Sequence, residues 1–176
     1  MNVAINDQTL EIEQGTVCAE ALKNVLSGKK MKQVLACRCV DQDGDRLLDL
    51  AAPVSETCSR LEPVYPDSEE GLDLLRHSAA HVMAAAVKRL FPSAKVTIGP
   101  SIENGFYYDF DFERSFTPED LEAIEAEMAR IVAEGESFSR SEVSKDEALK
   151  LFASMDEDYK AEIMEDLGGD HFSLYT

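Results

Sequence analysis

Residues 67–92 read DSEEGLDLLRHSAAHVMAAAVKRLFP, and this stretch decides how the second half of the chain folds. It predicts one long helix. Asp67 stands where a side chain can accept from first-turn amides, and Glu70 follows as a capping-box partner. Pro92 stops the helix near Phe91. At 100° per residue, Leu72, Leu75, Ala79, Val82, Met83, Ala86 and Leu90 gather into one apolar stripe, the expected buried face. His77 and His81 fall nearly opposite it, beside Ala80, Ala84 and Lys88. Four residues apart, their side chains stand next to each other, about 5–6 Å apart at Cβ. The alanines leave room for another element, or a ligand, to approach the imidazoles.

Downstream, Lys95–Ile98 and Phe106–Phe112 read as two strands, with Asn104-Gly105 favouring a reversal between them. Strand alternation puts Phe106, Tyr108, Phe110 and Phe112 on one face and Tyr107, Asp109 and Asp111 on the other. The pattern fits a half-buried strand with a solvated acidic face, or one whose face lines a pocket. Thr117-Pro118-Glu119-Asp120 starts a helix, with proline in the first turn and acids favoured by the helix dipole. It ends near Gly135. Ser144-Lys145-Asp146-Glu147 opens another by the same capping logic, and a last helical stretch runs through Leu167.

Upstream, the pattern changes to short strands. Met1–Ile5 and Thr9–Glu13 flank a turn at Asn6-Asp7-Gln8. Thr16 is a candidate cap for a helix reaching Leu26, which Ser27-Gly28 ends. Val34–Val40, Arg46–Leu50 and Leu61–Tyr65 supply further strands. Two strands, a helix and more strands suggest a sheet packed on one helix, the β-grasp type of architecture. Pro63 and Pro66 favour extended backbone and mark a boundary. The expected organisation is α+β: a β-grasp unit over 1–64, then an α+β domain over 65–176, with the long helix against an antiparallel sheet.

Composition narrows the function classes. The chain of 176 residues has no apolar run near the 18 or so residues that span a bilayer. Its N-terminus lacks the basic start of a secretory signal, so a cytoplasmic protein without membrane contact is expected. The formal charge is −18. Residues 1–64 hold 10 acidic and 7 basic side chains; 65–176 hold 25 and 10. Such a chain does not hold RNA tightly through phosphate contacts alone. Cys18, Cys37, Cys39 and Cys58 match no zinc spacing and read as reduced, mostly buried thiols. Cys37 and Cys39 would share a strand face. The His-x-x-x-His pair invites a metal reading, but the metalloprotease form needs glutamate directly after the first histidine, where Ser78 stands. A zinc site would need a third ligand, and the only other histidine is His171.

Two motifs together carry a resemblance. Arg76-His77-Ser78-Ala79-Ala80-His81, followed by Ile98-Gly99-Pro100-Ser101-Ile102-Glu103-Asn104-Gly105-Phe106-Tyr107-Tyr108-Asp109-Phe110, resembles the editing domain of bacterial threonyl-tRNA synthetases. The preceding 64 residues are similar to the ubiquitin-like TGS domain that opens those enzymes. The resemblance covers essentially the whole chain; its second part is the more specific. It implies hydrolysis of mischarged seryl-tRNA(Thr), with the tRNA acceptor end as partner. His77 and His81 match the family histidines that position substrate and water, and Lys160 matches the lysine that orients water or steadies an oxyanion. Ser78, Gly99, Pro100, Gly105, Tyr107 and Asp109 would contact substrate. The resemblance implies no metal and no cofactor in these residues; ATP, magnesium and zinc belong to the family's catalytic domain, which also holds most of its homodimer contact. The family completes its editing site with an Asp-x-Cys-Arg-Gly-Pro-His segment that these 176 residues do not contain, so a front portion with an incomplete site is expected. Two other readings stay open: a free-standing, zinc-dependent alanyl-type deacylase, and a non-enzymatic TGS-type module that contacts RNA or protein.

Overall fold

A computed structural model describes residues 1–42, 44–97, 99–135, 140–154, 159, 164 and 169–175. The chain forms two compact units, Met1–Leu75 and Arg76–Thr176.

In the first unit β1 (Asn2–Ile5) and β2 (Gln8–Glu11) form a hairpin closed on the Ile5↔Gln8 pair. Asn6 takes the left-handed conformation the tight turn requires, with φ 52°. α1 (Cys18–Lys23) and the single turn α2 (Gly28–Met31) precede β3 (Ala36–Val40), β4 (Arg46–Leu48) and β5 (Arg60–Val64). The five strands form one mixed sheet in the order β2-β1-β5-β3-β4, with β1 parallel to β5 and the other pairs antiparallel. Val3, Ile5, Leu22, Cys37, Cys39 and Leu61 are wholly buried in its core. Period-two alternation turns Cys37 and Cys39 inward together, as the sequence suggests.

The helix expected from Thr16 to Leu26 is shorter and differently capped. It starts at Cys18 after Val17, which offers no side-chain cap. The orphan amides instead find backbone partners: Cys18 N–H donates to the Ala52 carbonyl and Ala19 N–H to that of Leu50, both at 2.9 Å. A loop from elsewhere in the chain thus does what a capping side chain does locally. Ser27, expected to end a helix, starts α2, its Oγ accepting from Lys30 N–H at 3.4 Å.

α3 (Glu69–Leu90) is the long helix. Its cap is Ser68 rather than Asp67: Ser68 Oγ accepts from Gly71 N–H at 3.0 Å and donates to the Tyr65 carbonyl at 2.7 Å. Glu70 makes no capping box. The Arg38 guanidinium takes its carboxylate with two nitrogens, Nε to Oε1 at 3.0 Å and Nη2 to Oε2. A Cβ on Gly71 would stand 1.9 Å from the Tyr65 carbonyl oxygen, so only glycine fits there.

In the second unit, the described residues of the expected antiparallel sheet form short two-stranded ladders. β6 (Lys95–Val96) pairs with β9 (Phe110–Asp111), and β7 (Ser101–Ile102) with β8 (Gly105–Phe106). Pro100 has no amide to extend the first ladder into the second. The reversal falls on Glu103-Asn104, one residue before the expected dipeptide. α4 (Pro118–Glu134) begins and ends as the sequence indicates, with a full Thr117/Asp120 capping box and Gly135 left-handed at φ 65°. α5 (Lys145–Ser154) follows Ser144, whose Oγ meets Glu147 N–H at 3.4 Å. β10 (Arg140–Ser144) and β11 (His171–Tyr175) pair antiparallel, which the mostly polar sequence of β10 does not suggest. The expected last helix lies largely outside the described residues.

The core of this unit corrects the helical stripe. Leu72, Leu75 and Leu90 are exposed, at 41, 42 and 37%, whereas Ala80, Ala84, Ala86 and Val87 are buried. The buried arc is turned toward the histidines by roughly 90° from the expected one, at 100° per residue. Ala86 and Val87 pack with Ala94 and Ile124, and Met83, Phe91, Phe110, Phe112, Phe116, Met128 and Ile131 surround them. Apart from Met83 and Val87 the helix contributes alanines and its neighbours the bulk, so close approach matters beside hydrophobicity in choosing the face. Among the described residues no helix is long and apolar enough to cross a membrane.

Candidate functional site

The 22-residue α3 holds His77 and His81 on consecutive turns. Their Nε2 atoms lie 2.9 Å apart and their rings meet edge to face, with centroids 4.5 Å apart at 84°. A hydrogen bond between two Nε2 atoms needs one N–H and one lone pair, so at least one ring is neutral there. Both side chains, and that of Ser78 between them, are exposed. They border the covered arc of the helix, where Ala80 and Ala84 are 1 and 8% exposed. Two imidazoles so placed can share a proton, and with the polar groups that remain can hold a water or hydroxyl. Among the described residues no group of three His, Cys, Asp or Glu side chains is arranged to hold a metal ion.

The hairpin residues are placed by packing. A Cβ on Gly99 would come within 2.1 Å of the Tyr108 ring, so glycine is what lets that ring lie flat on the backbone. Tyr108 stacks in turn on Phe110, centroids 5.0 Å apart. Pro100 and Gly105 are half-buried. Gly105 has φ 154° and open space where a side chain would project. Tyr107 is 47% exposed, and the Asp109 side chain is also exposed. The Asp109 carbonyl accepts from Thr97 N–H at 3.2 Å and Thr97 Oγ1 at 2.6 Å, tying the hairpin to the strand before it. The alternation expected from Phe106 to Phe112 holds in burial, though the ladder is broken between Phe106 and Phe110.

One link was not anticipated. Tyr159 Oη donates to Asp111 Oδ2 at 2.9 Å, joining a helical residue to the polar face of the hairpin. The sequence offered both residues, in the Tyr159-Lys160 pair and on the acidic strand face, without offering their contact. Lys160 lies outside the described residues. The structure thus joins the histidines to each other, Gly99 to Tyr108, Asp109 to Thr97 and Asp111 to Tyr159. Three open grooves, of about 330, 430 and 680 Å³, lie on the first unit and share Tyr65; none contains a histidine. The candidate site rests on its side-chain chemistry.

No protein-family model matches the chain. Individual relatives do, and those named here are all threonine–tRNA ligases. The chain is homologous to threonine–tRNA ligase. That of Nitratidesulfovibrio vulgaris (strain DP4) is 61% identical over 175 residues, 99% of this chain. That of Oleidesulfovibrio alaskensis is 58% identical over the same share, and that of Lawsonia intracellularis 57% over 73%. The chain spans 27% of the length of the first two and 20% of the third.

Proposed function

We propose that the chain is the part of a threonine–tRNA ligase that proofreads, a TGS domain followed by an editing domain that hydrolyses seryl-tRNA(Thr). The strand order β2-β1-β5-β3-β4 around a parallel β1–β5 pair supports the β-grasp reading of the first domain. The observation that carries the functional reading is the imidazole pair at 2.9 Å, in a chain 52–61% identical to named threonine–tRNA ligases over nearly its whole length. Serine lacks one methyl of threonine, and binding alone discriminates against a smaller substrate by only about 1–3 kcal/mol. A second site that admits serine supplies the rest. In this reading His77 and His81 position the attacking water at the ester carbonyl of the tRNA acceptor end. Lys160 orients that water or steadies the developing oxyanion. Ser78, Gly99, Pro100, Gly105, Tyr107 and Asp109 contact the aminoacyl-adenosine. No cofactor is assigned to these residues; ATP, magnesium and zinc would serve aminoacylation by the rest of a homodimeric, cytoplasmic ligase.

The test is serine release from seryl-tRNA(Thr) by a protein that continues through the Asp-x-Cys-Arg-Gly-Pro-His segment. His77→Ala should lower that release by roughly 10²–10⁴-fold, the usual contribution of a positioned acid or base. A folded, extended protein that releases no serine would sink the reading. The exposure of both histidines favours a second reading, a non-enzymatic RNA-contacting module, in which His77→Ala leaves RNA affinity and every other property unchanged.

A further inference from the structure

A charge of −18 conceals an acid-free stretch. Residues 21–40 hold five cations and no carboxylate. The cations of this chain are not equally available. Arg38, Arg46, Arg60, Arg89, Arg114 and Arg130 all pair with carboxylates. Lys23, Lys29, Lys30 and Lys32 make no ion pair among the described residues, and all four are exposed. Lys23 ends α1; Lys29 and Lys30 lie in α2, and Lys32 is its C-cap. At 1.5 Å per residue, three of these side chains spring from about 4.5 Å of helix axis.

We infer that the α1–α2 lysines are the surface through which this chain meets an RNA phosphodiester backbone. The inference rests on the proposed tRNA partner and adds where the contact falls. An unpaired ammonium in water has released no carboxylate to meet a phosphate, whereas each paired arginine would first have to break its ion pair. The chain's net charge of −18 repels a polyanion, so a local cluster of cations also sets the orientation of approach. The groove beside Lys30 contains Asp67 with Gln33, Tyr65 and Pro66, so the contact belongs to the lysine tips and not to the groove floor. Few phosphates are engaged, which predicts weak binding that salt readily abolishes.

The experiment measures binding of the 176-residue protein to a tRNA(Thr) transcript by fluorescence anisotropy across a range of salt concentrations. The variants are Lys29→Ala/Lys30→Ala/Lys32→Ala and the charge-keeping Lys29→Arg/Lys30→Arg/Lys32→Arg. The alanine variant should weaken binding and flatten the plot of log affinity against log salt by about 2–3, at roughly 0.7–0.9 per phosphate contact. The arginine variant should keep both affinity and slope. Equal slopes in the wild type and the alanine variant would overturn the inference, as would a wild type that does not bind at the lowest salt. The outcome is separate from catalysis. If the extended protein releases no serine while the slope still depends on these lysines, only the hydrolytic reading fails.

Discussion

Gly99 lets the Tyr108 ring lie where a β-carbon would stand, 2.1 Å from the ring. Gly99→Ala should destabilise the protein by about 1–3 kcal/mol, as overpacking does. Chemical denaturation measures this, and adding Tyr108→Ala should return part of the loss. Equal, additive losses in the two single variants would show that the two residues do not compete for space. The histidines were legible in the sequence because an i, i+4 spacing makes neighbours on any helix. Gly99 was legible only as part of a motif. Its packing depends on where a residue nine positions away folds back, which no local pattern states. The Tyr159–Asp111 bond is hidden for the same reason, spanning 48 residues.

Helix ends divide into those that carry their own signal and those completed from afar. Thr117 and Asp120 cap α4 by themselves, and the sequence shows it. Thr117→Ala should lower stability by about 1 kcal/mol, read from the urea midpoint. The Arg114 guanidinium and the Thr117 amide hold the Asp120 carboxyl well below its ordinary value of 3.8. The folded state therefore binds this proton less readily than the unfolded chain. The stabilisation is present above the ordinary value and is lost as pH falls from about 4 toward the depressed one. Asp120→Asn should accordingly lose less stability than the wild type between about pH 7 and about pH 3. An identical acid loss in both proteins would remove Asp120 from the account. The start of α1 carries no such signal, since carbonyls of Leu50 and Ala52 supply its cap. The expected buried face of α3 holds at Met83 and Ala86 and fails at Leu72, Leu75 and Leu90, because hydrophobicity ranks leucine above alanine. Packing under four phenylalanines prefers the smaller residue.

Over the whole molecule, the four cysteines were correctly read as core residues. All are at most 2% exposed, and all lie in the first unit. Burial and a hydrogen bond with Cys39 push the Cys58 thiol up to about 12. A hydrogen bond with Cys18, and then burial, push Cys37 upward as well, while the same hydrogen bond holds Cys18 below its ordinary value. Burial keeps reagent from all four, so the folded protein should react slowly with a disulfide reagent at about pH 8, and all four thiols should react in denaturant. Rapid reaction of the native protein would mean that this core opens readily. The Arg38–Glu70 pair and the fit of Gly71 on the Tyr65 carbonyl have a different consequence, for recombination. The prolines at 63 and 66 look like the place to graft this unit onto another protein, yet a splice there would part Arg38 from Glu70 and Tyr65 from the glycine that covers it. The seam that keeps both falls after Leu75, in the second turn of an unbroken helix, where no breaker residue marks it.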